Sequence, residues 1–177
     1  VMMEPLATYL KYYCYLMGFN CQLKWGQFDQ VMQEACSQGQ DVIHPKTDVI
    51  LLFMNFDQLN WNLSRRYTML DHGQVEVEVQ QVKDYVDAVL NGLRQQSEAA
   101  IICHGFEIPV NPAFGITDYR CENGQAAVMV DLNRFLKRKL NDLSKAYYID
   151  LNLLLMRLGC EKFYDLRYWH IGKAPYS

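Results

Sequence analysis

Polar side chains that suit ligand binding follow two apolar runs of the sequence, and both runs have the character of buried strands. Asn55 and Asp57 come shortly after Thr47–Phe53, and His104 ends Ala99–His104. Open parallel sheets bind ligands outside the carboxyl ends of their strands, so we predict a binding crevice there. Each residue also has an ordinary structural explanation. Asn55 and Asp57 suit loop capping, and an isolated histidine is more often structural than catalytic.

The loop after the second run supplies further binding candidates. Asn111 and Asp118 lie in a Pro- and Gly-containing stretch and would line the same crevice. Gly105 would let a ligand approach the backbone closely. Arg65 and Arg66 are either solvated cations or a phosphate-binding pair.

The remaining sequence predicts the elements that position these residues. Apolar spacing predicts three strands, a possible earlier strand and five helices. The strands are Thr47–Phe53, Ala99–His104 and Ala146–Ile149, and Phe19–Trp25 alternates like another strand. The helices are Pro5–Met17, Phe28–Cys36, Val75–Gln96, Ala126–Ser144 and a helix from Asp150 through Leu158. The pattern predicts loops over Phe56–Gln74 and Gly105–Gly124. Strands that alternate with helices form a parallel sheet covered on both faces. We therefore predict one α/β domain over residues 1–177, a flavodoxin-like three-layer sandwich with a mostly parallel sheet.

The order of elements implies a strand outside the sequence. The pattern begins with a helix, whereas the first strand of a doubly wound fold is usually central. The chain also starts at Val1 without an initiator methionine. We expect the first strand to lie upstream of Val1.

Composition excludes several classes of protein. Half of the 177 residues are hydrophobic, 21% are charged and the formal net charge is −3, so neither disorder nor a nucleic-acid or anionic membrane partner is indicated. No apolar stretch approaches the roughly 20 residues needed to span a bilayer. The six cysteines include no Cys-x-x-Cys pair, and Cys14 and Cys103 lie in apolar runs. We expect a cytoplasmic protein with reduced cysteines and neither a metal nor a cofactor.

In order and spacing, these segments resemble the N-terminal domain of the FkbH-like family. The resemblance rests on the segments Glu4–Leu10, Asp48–Leu52, Val130–Asn133 and, at the end of the chain, Gly159–Cys160, Phe163–His170 and Lys173–Ser177. In that family a haloacid-dehalogenase-type phosphatase follows this domain, and the proteins are known from pathways that load glyceryl units onto acyl carrier proteins. The phosphatase motif Asp-x-Asp is absent from this sequence, so the resemblance implies an accessory module and not the phosphatase itself.

The resemblance also implies an SGNH-hydrolase-like fold. SGNH esterases use a serine after the first strand, Gly and Asn oxyanion donors, and an Asp-x-x-His motif. The serine would fall upstream of Val1, Asn55 would be an oxyanion donor, and Asp165 and His170 would be the acid–base partners. Asp165 and His170 are five residues apart instead of three, and His170 is more readily a partly buried histidine in an aromatic segment.

Two functions follow from the resemblance. In the first, the domain is an accessory module that binds substrate or a carrier protein for a linked phosphatase-type domain. The helix face with Arg134, Lys137, Arg138 and Lys139 would contact an acidic acyl carrier protein, although a solvated face is the commoner explanation. In the second, it is an SGNH-type esterase or acyltransferase that uses the upstream serine.

Overall fold

A computed structural model describes residues 6–27, 29–36 and 42–159. These contain seven α-helices, three strands and two short 3-10 helices. The helices are α1 (Leu6–Leu16), α2 (Val31–Cys36), α3 (Phe56–Leu59), α4 (Trp61–Arg65), α5 (His72–Gln96), α6 (Gln125–Asp142) and α7 (Leu151–Leu158); the strands are β1 (Val49–Leu52), β2 (Ala100–His104) and β3 (Ala146–Ile149); the 3-10 helices are Tyr67–Met69 and Gly115–Arg120.

The three strands form one parallel sheet in the order β1-β2-β3. Leu51 of β1 pairs in register with Ile102 of β2, which pairs with Tyr147 of β3. The connections run through helices, as parallel pairing requires. A parallel sheet flanked by helices confirms the predicted α/β class and is consistent with a flavodoxin-like three-layer sandwich.

The core lies between one face of the sheet and helices α5 and α6. Ile101 and Cys103 of β2 are buried there, together with Val86 of α5 and Leu132 and Leu136 of α6. The 25-residue α5 begins with a reciprocal cap: Gln74 N donates to Asp71 Oδ1 at 2.8 Å, and Asp71 N donates to Gln74 Oε1 at 2.9 Å. The predicted helix over Val75–Gln96 is confirmed as part of α5.

The opposite face of the sheet is only partly covered, which corrects one expectation. Val49 and Leu51 of β1 are 48% and 40% exposed, and Tyr147 and Ile149 of β3 are exposed on the same face. The prediction that Thr47–Phe53 is buried on both faces is wrong. A continuous apolar run does not distinguish a strand buried on one face from a strand buried on both.

Two local predictions are also wrong. Phe19–Trp25 alternates like a strand but forms none, and it has no strand partner among the described residues. The predicted loop Phe56–Gln74 contains α3 and α4, because Asn55 and Asn60 cap their first turns. Asn55 Oδ1 accepts from Gln58 N at 3.4 Å, and Asn60 Oδ1 accepts from Leu63 N at 2.8 Å.

β1 is an edge strand of the described sheet. The expectation of a further strand upstream of Val1 stays a prediction. In the described part of the chain, no helix has both the length and the apolar character needed to cross a membrane.

Candidate functional site

A cavity of about 560 Å³ opens at the carboxyl ends of β1 and β2. Segments that follow both strands line it, with contributions from α4, α6 and α7. Four of the predicted site residues lie in its wall, Asn55, Asp57, His104 and Asn111, and so do Arg65 and Gly105, which the sequence also singled out. The structure therefore brings these four together where open parallel sheets place ligands. Their roles in binding stay predictions.

Asn55 is buried, with 7% of its surface exposed, and follows β1 directly. Its Oδ1 caps α3, as the structural explanation from sequence expected. Its Nδ2 has no hydrogen-bond acceptor among the described residues, so the amide keeps a donor for a ligand. Asn55 also borders a smaller cavity of about 170 Å³ on the side of α2.

Asp57 is engaged in a polar cluster formed by α3 and α4. Arg65 donates to Asp57 Oδ2 from Nε at 2.9 Å and from Nη2 at 2.6 Å, and the Ser64 hydroxyl donates to Oδ1. Both carboxylate oxygens thus have partners, and the charge of Asp57 is balanced by Arg65. From sequence, Arg65 was suggested as part of a phosphate site, and its ion pair with Asp57 was not predicted.

His104 is buried at the end of β2, with its ring 5.4 Å from that of Phe53. Burial lowers the pKa of the imidazole, while a 2.6 Å contact from Nδ1 to the Gly105 carbonyl oxygen opposes that shift. Because a carbonyl oxygen only accepts hydrogen bonds, Nδ1 carries the proton in this contact. The lowered pKa favours the neutral ring, in which Nε2 presents a lone pair.

Glu107 lines the same cavity and was missed from sequence. Burial raises the pKa of its carboxyl to about 7, with Asp57 adding to the shift and Arg65 opposing it. Such values are common at functional sites, where a group must change protonation near neutral pH. Glu107 could not be found from sequence, because its burial depends on tertiary packing and a lone glutamate in a loop carries no pattern that indicates it.

Two asparagines hold the loop that carries Glu107. Asn133 of α6 accepts from Phe106 N at 2.6 Å and donates to Phe106 O at 2.8 Å. Asn152 of α7 donates to Phe106 O at 3.1 Å and accepts from Ile108 N at 2.9 Å. Helices α6 and α7 thus fix the backbone on both sides of Glu107, and we call Asn133 and Asn152 the asparagine clasp.

Gly105 lines the cavity and is also required for packing. A Cβ at this position would collide with the Tyr148 hydroxyl and would lie 2.8 Å from Asn133 Oδ1. The close packing of Tyr148 and Asn133 thus explains the glycine, and its role in ligand approach stays a prediction.

Asp118 lies outside the lining of this cavity and is almost fully buried. Its Oδ1 accepts from Gln125 N at 2.9 Å and its Oδ2 accepts from Ala126 N at 3.0 Å. Both oxygens thus satisfy the first turn of α6. The geometry explains Asp118 through helix capping.

The other candidates from sequence are placed as follows. Asp165 and His170 lie outside the described residues, and so does most of the terminal segment of the family resemblance. Within the described ranges, no three His, Cys, Asp or Glu side chains lie close enough together to ligate a metal ion.

Comparison with known proteins supports the fold but no family. The structure is similar to the crystal structure of the N-terminal part of protein BF1531 from Bacteroides fragilis, which contains a phosphatase domain complexed with Mg. The TM-score is 0.79 at 15% identity, over 99% of this chain and 45% of that one. No protein-family model and no curated protein matches the sequence. This chain thus spans less than half of a solved structure that shares its fold.

Proposed function

We propose that this domain binds a small polar organic ligand in the cavity at the carboxyl ends of β1 and β2, as an accessory module beside a linked phosphatase-type domain. The observation that carries the proposal is the gathering of Asn55, His104 and Glu107, each with a polar atom that has no hydrogen-bond partner among the described residues, in one cavity of about 560 Å³. Pockets that combine a few convergent polar groups with a perturbed pKa are typical of binding sites.

A linked phosphatase is supported by two independent points. The similar structure from Bacteroides fragilis contains a phosphatase domain. The sequence resembles the module that precedes a phosphatase in the FkbH-like family. The reading frame of the complete protein tests this part: a phosphatase domain with an Asp-x-Asp motif after Ser177 is expected, and a frame that encodes none would overturn it.

A blocking substitution tests the cavity itself. Val110 lines the cavity and is 61% exposed, so Val110→Trp should fill the entrance without disturbing the core. Val77 on α5 is 58% exposed and lies elsewhere, so Val77→Trp is the matched control. We expect NMR screening with small alcohols, amines and carboxylates to give hits that weaken at least tenfold in Val110→Trp only. Hits that weaken equally in both variants, or no hits, would contradict the proposal.

A carrier protein as the bound partner has weaker support. On the basic face of α6, Arg134 bonds Asp131 at 3.0 Å and Lys139 bonds Asp87 at 2.9 Å. Two of the four cations are thus already paired within the domain, which leaves less charge for an acidic partner. The cavity is therefore the preferred ligand site.

The esterase or acyltransferase alternative is favoured by one observation, the free amide Nδ2 of buried Asn55 after β1. An oxyanion donor at that place would assist acyl transfer, and its loss typically costs about 10²-fold to 10³-fold in rate. Under this alternative, the complete protein hydrolyses p-nitrophenyl acetate, and both Asn55→Ala and His170→Ala lose most of that rate. Hydrolysis that survives His170→Ala would exclude the catalytic assignment of His170, and a complete protein with no serine after an upstream first strand would exclude the alternative.

A further inference from the structure

Among the described residues, the cavity lining holds two carboxyl groups and one permanent cation. These charged residues are Asp57, Arg65 and Glu107. Arg65 and Ser64 already engage Asp57. The Glu107 carboxyl has no hydrogen bond or salt bridge to any residue in the described ranges. Partly buried charges are normally paired, so this carboxylate is an open position for a positive group.

His104 supplies a second acceptor in the same cavity. Its Nδ1 proton is used by the Gly105 carbonyl, and its Nε2 has no partner among the residues that the structure describes. His104 as a whole residue is only 7% exposed. Because burial keeps the ring neutral, His104 accepts a hydrogen bond without repelling a cation.

The wall also contains apolar and aromatic side chains, beside the polar Asn111 and Gln125. Phe56 and Phe106 pack with ring centroids 5.1 Å apart, and Met54, Met129 and Leu151 line the same space. An alkyl chain of a few carbons suits this lining. The Asn133 and Asn152 clasp holds the Glu107 loop in place, which reduces the entropy lost when a ligand binds.

We propose that the cavity receives a primary ammonium group on a short apolar chain, with Glu107 as its ion-pair partner and His104 Nε2 as a hydrogen-bond acceptor. The proposal rests on the proposed function, because it names the class of ligand for that cavity. An ammonium group offers three donors and the missing positive charge. A phosphate or carboxylate would instead face the carboxylates of Glu107 and Asp57, and an alcohol would leave Glu107 unbalanced.

Three four-carbon probes separate these classes: n-butylammonium, n-butanol and n-butyrate, titrated into the 177-residue chain and followed by NMR. At pH 8 we expect n-butylammonium to bind at least tenfold more tightly than either other probe. Its affinity should rise roughly tenfold between pH 6 and pH 8, because Glu107 ionises near pH 7 and only the carboxylate pairs with a cation. In the part of the chain that the structure describes, Asp57, Arg65 and His104 are the other titratable or charged groups that line the cavity.

Two variants assign the effect to Glu107. Glu107→Gln should weaken n-butylammonium at least tenfold and leave n-butanol unchanged. Glu98→Gln is the control, since Glu98 is an exposed carboxylate outside the cavity lining. A titration of the Glu107 side-chain carbon needs no variant: saturating n-butylammonium should lower the pKa of Glu107.

The outcomes separate the two proposals. Suppose that n-butanol binds as tightly as n-butylammonium and that Val110→Trp abolishes the binding of both probes. The ammonium proposal is then wrong, and the cavity remains a ligand site. An unchanged affinity in Glu107→Gln overturns it as well. If none of the probes binds and the broader NMR screen gives no hit, both proposals fail.

Discussion

Helices α1 and α6 both carry apolar residues at helical spacing, yet their environments are opposite. In α6, Leu132, Leu136 and Leu140 lie in the core. The helix is also capped by Asp118 and tied to the Glu107 loop by Asn133. None of the 11 residues of α1 is buried. Amphipathic spacing therefore predicts that a helix forms, whereas burial depends on a partner surface elsewhere in the chain.

The largest expected effect is a loss of stability, and it is tested by making the same substitution in both helices. Leu136 is fully buried and Leu16 is 59% exposed. Leu136→Ala should lower the free energy of unfolding by about 3 kcal/mol, because it removes apolar contacts and leaves a cavity. Leu16→Ala should change it by less than about 0.5 kcal/mol. Urea unfolding followed by circular dichroism measures both. Equal losses would mean that α1 is packed in solution and that the contrast with α6 is false.

The regular part of the fold was predictable because its signals are local. Val75, Val82, Val86 and Val89 repeat at helical spacing and are buried in α5 as expected. Phe19–Trp25 shows the limit of such signals. Its alternation fits a strand, but a strand needs a neighbour for its backbone hydrogen bonds, and no sequence pattern of the segment specifies one.

The next effect concerns the start of α6. Asp118→Ala should lower the free energy of unfolding by about 2 to 3 kcal/mol, because two buried N–H groups lose a charged acceptor. Asp131→Ala on the exposed face of the same helix removes an equal charge and should cost less than about 0.5 kcal/mol. Urea midpoints provide the comparison. A loss of n-butylammonium affinity in folded Asp118→Ala would instead support the binding role suggested from sequence.

The clasp on the cavity side of α6 should contribute less. Asn133→Ala leaves Phe106 N–H without its acceptor, and about 1 to 2 kcal/mol of stability should be lost. Asn141→Ala, at an exposed position near the end of α6, is the control. Beyond stability, Asn133→Ala should change the pKa of Glu107 measured by NMR, since the loop that carries the carboxyl would move. An unaltered pKa of Glu107 would show that Asn152 alone holds the loop.

Part of the candidate site was predictable from sequence, again because local signals identify strands but not tertiary packing. Asn55, Asp57, His104 and Asn111 meet because each follows a strand that sequence identified, and parallel strands end at one edge. The pairing of Asp57 with Arg65 depends on two short helices that the polar sequence concealed. Glu107 depends on burial by several segments together, and no local spacing encodes that burial.

The smallest expected effect is the pH dependence that this burial gives to stability. Glu107 has a folded-state pKa of about 7, above the value of about 4.5 for an unperturbed glutamate. The folded protein therefore holds more protons than the unfolded chain between these values, so stability is full below pH 4.5 and falls as pH rises toward 7. Solvent screening at a partly exposed carboxyl limits the loss to about 1 kcal/mol. Glu107→Gln should not show this loss, so subtracting its urea-derived free energies from those of the wild type at pH 5 and pH 8 isolates the contribution. A difference that stays constant with pH would show that Glu107 titrates as an ordinary solvated carboxyl, and the loop held by α6 would then not bury it.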